Sequence, residues 1–372
     1  MDFLIKIIIL FLCSGIVSWI LLEGISRLWR RWGIVDLPHL YENEGKRKPA
    51  PYSIGIILVI MILIFAPIIS RVFDFSSLLV EKLEVIAGLA AIIGIVSFID
   101  DLDTIKQSRI HIPPLFRLGL QIFVGLVIGI TSIKITYISG IFGDIMKLDE
   151  FYVQLMILGD TYNIYYIPLI ITIAWYVLVF NSVNFSDGIP GLTGSFSLVS
   201  FIIMGGLALK LYLVDQNPLI QENSKFMLTF LAIIIPTTFF MTRLDMKRSG
   251  LIGDTGTIML GFILATSAII VGGKIATAMS VLGIYLIDAL YVIGIRIMKG
   301  KNPMKGDRTH HLHFRLLELG LSQSFIRNLI CGLAFLFGIG AIFMNTTGKI
   351  ILLIFMTVTT LGLTKILSMV KK

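Results

Sequence analysis

Four carboxylates at three places along the chain could share one reaction. Asp100 and Asp101 are adjacent at the end of an apolar run (SFIDDLD), Asp187 lies in NSVNFSDGIPGLTG at Asn181–Gly194, and Asp254 is bracketed by Gly253 and Gly256 in SGLIGDTGTIMLGF. Neighbouring carboxylates at a helix C-terminus oppose the helix dipole and repel each other, so packing alone does not explain them; a general base, or a partner for a magnesium-bound substrate, does. The glycines at 188, 191 and 194 suit a turn that grips a phosphate or a sugar, and the plainer alternative is a Gly/Asn turn whose amides cap helices. Asp254 could likewise be a simple cap. Alternatively, its hard oxygen and the amide oxygen of Asn184 could share one Mg²⁺ that also takes diphosphate oxygens and waters.

Cations accompany these groups. Lys48 closes a basic triplet, Lys46–Lys48, just before an apolar run; such a triplet attracts lipid headgroups, or, stiffened by Pro49 and Pro51, aims Lys48 at a substrate. Arg117 is a candidate counter-charge for the Asp pair, as are Lys106 and Arg109. In GDRTHHLHFRLLELG, His311 and His313 stand between Arg308 and Arg315. Zinc lacks support here, with no cysteine and no HExxH spacing nearby, and a row of imidazole and guanidinium donors better suits phosphate or sugar hydroxyls.

The elements that must position these residues are membrane helices. The chain has 372 residues, 56% apolar and 15% charged, against about 25% charged in soluble proteins, and a mean hydropathy of +0.92. Apolar runs near 3–26, 52–70, 83–99, 115–133, 164–183, 193–213, 225–241, 252–271, 274–295, 325–344 and 349–369 imply about eleven spans of an all-α integral membrane protein, residues 1–372 forming a single polytopic domain. The first run reads as a span and not as a cleaved leader, because no small-x-small site follows it. Most of the 31 Lys and Arg fall on one side, which puts the N-terminus outside and every polar cluster above on the cytoplasmic face of a plasma (inner) membrane. The loop Lys134–Asn163 on the other side reads as a small hairpin cap. Cys13 and Cys331 lie in apolar runs as small hydrophobes. The net charge of +8 comes without any nucleic-acid-binding motif, so nucleic acid is not an expected partner. Asp288 is the main charge inside a span, and neither half of the chain repeats the other, which counts against a transporter.

Together, in order and across the chain, the Asp100–Asp101 pair, NxxNxxDG at Asn181–Gly188, GDxGxxxLGF at Gly253–Phe262 and HxHxR at His311–Arg315 resemble the polyprenyl-phosphate N-acetylhexosamine-1-phosphate transferases, the superfamily of MraY-, WecA- and TagO-type enzymes. The resemblance implies transfer of a sugar 1-phosphate from a UDP-sugar to undecaprenyl or another polyprenyl phosphate, releasing UMP, with Mg²⁺ or alternatively Mn²⁺. It also admits a homodimer. It assigns Asp254 and Asn184 to the metal and Asp100, Asp101 and Asp187 to acidic catalytic positions; Lys48, Arg117, Asn181, Asn184, His311, His313 and Arg315 are read from the residues themselves as candidate substrate contacts. The RLLELG tail is closer to the WecA and TagO types, which implies N-acetylglucosamine or a related sugar. MraY-type transfer of phospho-N-acetylmuramoyl-pentapeptide is the nearest rival, and a non-catalytic transporter of a lipid-linked glycan is the rival from another class. Pro190 and Leu251 stand where the family places an acid and an aromatic that help hold uracil, so weak discrimination between bases is expected.

Overall fold

The computed structural model describes residues 2–38, 48–106, 108, 110–139, 145–157, 160–271, 275–302 and 309–370. Lys46, Arg47, Arg109 and Arg308 lie outside the described residues. In hydrocarbon a helix satisfies every peptide group from within its own segment, and the apolar runs fold accordingly. In chain order the first helices are α1 (Asp2–Trp32), α2 (Ile56–Val72), α3 (Ser77–Thr104) and α4 (Pro114–Ile130). Four short strands follow, β1 (Tyr137–Ser139), β2 (Ile145–Lys147), β3 (Tyr152–Ile157) and β4 (Asp160–Tyr165). The chain continues as α5 (Tyr166–Phe185), α6 (Leu192–Val214), α7 (Pro218–Met246) and α8 (Gly253–Ile270). It closes with α9 (Ile275–Met298), α10 (Leu312–Glu318), α11 (Gln323–Phe343) and α12 (Thr346–Val370).

Among the described residues nine helices are long and apolar enough to cross a membrane, while α2 and α4, at 17 residues each, are shorter apolar helices. The eleven apolar runs are therefore all helical, but only nine meet the length of a span. The expected cap between α4 and α5 is present as two antiparallel pairs, β1 with β2 and β3 with β4, the second in register from Tyr152↔Tyr165 to Ile157↔Asp160. Cys13 and Cys331 form no disulfide.

Local sequence explains where helices begin. Proline opens α4 and α7, where its missing N–H is no loss, and the Asn217 side chain accepts from Leu219 N at 3.0 Å to cap α7. The α4–α5 contact depends on small residues: a Cβ added at Gly125 would stand 2.7 Å from Ile173 Cα, and one at Gly129 2.5 Å from Leu169 Cδ1.

The hub is α8. From Thr255 to Ile270 it is buried on every side, as a helix apolar all round must be, and it packs against α3, α5 and α6. Trp175 Nε1 donates to Ala265 O at 3.1 Å, and the Tyr176 and Thr266 hydroxyls pair at 2.7 Å. These bonds fix the register of α5 on α8. As a result α3 and α5 finish, and α4 and α8 start, at one common end of the bundle.

Candidate active site

The start of α8 is built around Gly253, whose φ of +66° turns the chain into the helix. Its first amides have no partner within the helix and carry the positive end of its dipole. Asp101, at the end of α3, supplies the partner: Oδ1 accepts from Asp254 N at 2.8 Å, and Oδ2 accepts from Thr255 N at 3.0 Å and Thr255 Oγ1 at 2.6 Å. Ser53, just ahead of α2, donates from Oγ to Thr255 Oγ1 at 2.9 Å. A Cβ at residue 253 would stand 2.5 Å from Asp101 Oδ2, so this close approach also requires glycine.

Asp254 is thereby held at the helix tip with its side chain 29% exposed. Neither of its oxygens is closely engaged: Arg117 Nη1 stands 3.4 Å from Oδ2 and Asn184 Nδ2 3.4 Å from Oδ1. Arg117, from the first turn of α4, donates from Nη2 to Asp100 Oδ1 at 2.8 Å, so one guanidinium links the two carboxylates. Three buried polar atoms here have no partner among the described residues: Asp100 Oδ2, Arg117 Nε and Ser97 Oγ. All three residues line one narrow cleft whose other walls include Ile112, Phe180 and Ile258. Buried polar atoms left without partners cost about 1–3 kcal/mol each, which marks the cleft as a place for a polar guest.

Asp187 lies on the loop joining α5 to α6. Two groups pin that loop: Asp245 Oδ2 accepts from Gly191 N at 2.6 Å, and Arg327 Nη1 donates to Pro190 O at 3.1 Å. Asp187 itself accepts from Thr193 Oγ1 at 3.3 Å. Protein density around its carboxyl, then the like charges of Asp245, Asp254 and Asp101, push its pKa well above the usual carboxylate range. The residue keeps exposed surface, and water there tempers the shift.

The histidine stretch reaches the same loop from the far side. Asp288 in α9 accepts from His311 Nδ1 at 2.7 Å and from Leu312 N at 2.9 Å, anchoring the start of α10. His313 is buried, its Nε2 has no partner among the described residues, and a Cβ at Gly188 would stand 2.3 Å from that atom. Burial pushes the His313 pKa down to about 4, Asp288 opposing and His311 adding to the shift. His313 is thus a neutral imidazole at pH 7.

The structure therefore gathers Asp100, Asp101, Asn184, Arg117 and Asp254, with Asp187 and His313 beside them and His311 held behind His313. Asn184 turns its amide nitrogen, at 2.9 Å from Thr257 Oγ1, toward the cluster, so metal binding through its oxygen requires the amide to turn over. Two expected substrate residues, Asn181 and Arg315, have other partners, and a third, Lys48, stands on an exposed approach. Asn181 Nδ2 donates to Gln121 Oε1 and Val177 O, both at 2.7 Å. Arg315 Nη1 donates to Thr364 O at 2.5 Å, and its guanidinium lies 5.7 Å from the Tyr291 ring centroid, tying α10 to α9 and α12. Lys48 is exposed on the strand-like approach whose Pro51 O accepts from Leu251 N at 2.8 Å. Sequence reasoning missed the roles of Ser53, Thr255, Asp245 and Arg327.

Residues 83–272 match the sequence model of glycosyl transferase family 4. The chain is 27% identical over 183 residues to the phospho-N-acetylmuramoyl-pentapeptide-transferase of Chlorobium limicola, a stretch covering 46% of each protein. It is 26% identical over 234 residues to the protein of the same name from Chlorobium luteolum, covering 60% of this chain and 59% of that one. The similarity thus spans about half the length of these relatives. With the probable undecaprenyl-phosphate N-acetylglucosaminyl 1-phosphate transferase of Bacillus subtilis it is 22% identical over 349 residues, 92% of this chain and 86% of the other.

Proposed function

The chain belongs to glycosyl transferase family 4, and from that membership we propose that it moves a sugar 1-phosphate from a UDP-sugar to undecaprenyl or another polyprenyl phosphate. The products are a polyprenyl diphospho-sugar and UMP, and the reaction starts a cell-envelope glycan on the cytoplasmic face of the plasma membrane. N-acetylglucosamine is the proposed sugar, because a relative aligned over 92% of this chain and 86% of its own is named for it. The observation that carries the proposal is Arg117 linking Asp100 and Asp254 while lining a narrow cleft with largely apolar walls. A lipid phosphate needs an apolar approach and a cation at its end, and a sugar diphosphate needs neutralising beside it.

Mg²⁺, or Mn²⁺ in its place, fits the donors present. Among the described residues no three His, Cys, Asp or Glu side chains form a metal cage, and Asp254 is an accessible carboxylate with only 3.4 Å contacts. Magnesium is a cation that keeps several waters and takes substrate phosphate oxygens beside one or two carboxylates. Asp254 would hold it, joined by the Asn184 oxygen, and when bound it would neutralise the charge of the diphosphate.

The chain's own groups do the rest. Arg117 binds the lipid phosphate, and the unpartnered Asp100 Oδ2 takes its proton. The freed phosphate oxygen bonds to the phosphorus that carries the sugar, the bond from that phosphorus to the bridging oxygen breaks, and UMP leaves with the bridging oxygen. Asp101 is a positioning residue, since its oxygens are occupied in holding Asp254 and Thr255. Asp187 and the neutral His313 flank the sugar-phosphate and offer hydrogen bonds to its hydroxyls.

The test is purified protein with Mg²⁺, undecaprenyl phosphate and a panel of nucleotide-sugars, followed by release of nucleoside monophosphate. UMP release with UDP-N-acetylglucosamine supports the reading. UMP release with UDP-N-acetylmuramoyl-pentapeptide alone would favour the activity named for the Chlorobium relatives. No release with any donor would favour a transporter of a lipid-linked glycan, against which the gathering of acids at one end of the helices argues.

A further inference from the structure

At the opposite end of the bundle lies a cavity of about 350 Å³. It is formed where α3, α7 and the α4–β1 connection meet the last residues of α8, Ile269 and Ile270. Lys82 lines it and Asp100 lies 18 positions later on α3, a separation of about 27 Å along the axis and close to the thickness of a bilayer's hydrocarbon. This cavity therefore cannot share a ligand with the acidic cluster.

Its charged lining is cationic. Lys82 and Lys134 are the charged residues among those that line it, with Ser132, Thr136, Asn217 and Asn223 as polar neighbours. Lys82 is 6% exposed and donates one hydrogen bond, to Asn223 Oδ1 at 3.0 Å. Its other ammonium hydrogens have no acceptor among the described residues. Lysine near a membrane boundary ordinarily extends its amine to water; here the amine is retained inside the protein, beside a void, where an unmet charge is costly. Lys134 rests its amine 4.4 Å from the Tyr165 ring centroid, and its N–H groups have no hydrogen-bond acceptor among the described residues. Glu81 and Glu222 attract Lys82, and Asp149 attracts Lys134, but none of the three lines the cavity. Their charge weakens the long-range pull on an anion, so selection falls to the donors that line the cavity.

We propose that this cavity is a second ligand site, which takes a phosphate group through Lys82 and Lys134. A phosphate presents several strong acceptor oxygens to ammonium and amide donors, and the cavity also has apolar walls, among them Leu78, Ile220 and Ile270, against which the start of a lipid's acyl chains could lie. The source is either the headgroup of an anionic phospholipid in the leaflet at that end or free phosphate from solution.

The two sources separate in one experiment. Full-length protein is placed in phosphatidylcholine nanodiscs, with increasing phosphatidylglycerol in one arm and increasing inorganic phosphate in the other, and binding is read as a rise in unfolding temperature. Wild type, Lys82→Gln, Lys134→Gln and Lys147→Gln are compared; Lys147 is an exposed lysine of β2 outside the cavity lining. Losing one charge-assisted donor weakens binding about tenfold or more. That loss in Lys82→Gln and Lys134→Gln, with Lys147→Gln like wild type, supports the site; the phosphatidylglycerol arm identifies a lipid source and the phosphate arm a soluble one. If Lys82→Gln does not fold, Lys134→Gln decides alone. Equal binding by wild type and both cavity variants, or no binding of either probe to wild type, overturns the proposal.

Discussion

The Asp101 carboxylate accepts the backbone N–H of Asp254 at 2.8 Å, across 153 positions of sequence, and so turns the end of one membrane helix into the cap of another. Two acids that look equivalent as candidates for chemistry thus divide the work. One is consumed in placing the other.

This division predicts different outcomes for two conservative changes. Asp254→Asn removes the accessible charge and should abolish turnover with little change in unfolding temperature, because no short hydrogen bond depends on that side chain. Asp101→Asn puts an amide N–H against the Thr255 donors and should lower the unfolding temperature as well as the rate, at a cost of about 1–3 kcal/mol. Thermal unfolding and rate measured on the same preparations check both. Asp254→Asn with full activity, or Asp101→Asn with wild-type stability, contradicts the assignment.

His313 gives a prediction about acid. Its pKa is about 4 in the folded protein against an ordinary 6.5, so between these values the unfolded chain binds the proton and the folded one does not. The stability contributed by the neutral ring is fully present above pH 6.5 and is lost as the pH falls toward 4, by about 3 kcal/mol. Unfolding temperatures of wild type and His313→Gln should diverge over that window, wild type falling further. Parallel curves would contradict a buried neutral imidazole.

Much of the site was legible because its members lie in short polar motifs at the ends of apolar runs, where packing offers no rival explanation. Asp100, Asn184 and Asp254 are of this kind. The supports were not legible, since each is a pairing between distant positions: Asp245 with the Gly191 amide, Arg327 with the Pro190 carbonyl, Asp288 with His311. Asp288 was visible as an anomaly inside a span, but nothing in the local sequence named its partner. Asn181 and Asn184 show the limit of motif reading, since one helix carries both and turns the first to Gln121 on α4 and the second to Thr257 on α8. The helices themselves followed from hydropathy, except that α2 and α4 are shorter than their apolar runs suggested.

Asp187 should appear in the pH dependence of the reaction. Its raised pKa means that it ionises only as the pH climbs beyond the ordinary carboxylate range, so the rate should rise through that interval and the acid limb should change in Asp187→Asn. A pH–rate profile of kcat/KM in wild type and variant is the measurement. Superimposable profiles would remove Asp187 from the reaction.

Base selection should be weak. Pro190 has no side-chain donor or acceptor and its carbonyl is taken by Arg327, while Leu251 offers area without a π face and its amide is taken by Pro51. An apolar slot discriminates by only about 10–200-fold, whereas buried polar partners reach about 10⁴. The ratio of kcat/KM for UDP-, dTDP- and GDP-linked forms of one sugar should therefore stay below about 10³. A larger preference for uridine would mean that other residues read the base.

The central claim is that the sugar moves together with its phosphate. UDP-N-acetylglucosamine labelled at the phosphorus next to the sugar, incubated with the purified protein, Mg²⁺ and undecaprenyl phosphate, tests it directly. The label should pass into the lipid fraction while UMP accumulates, and Asp254→Asn should do neither. Release of UDP, with the label remaining in the aqueous nucleotide, would contradict it.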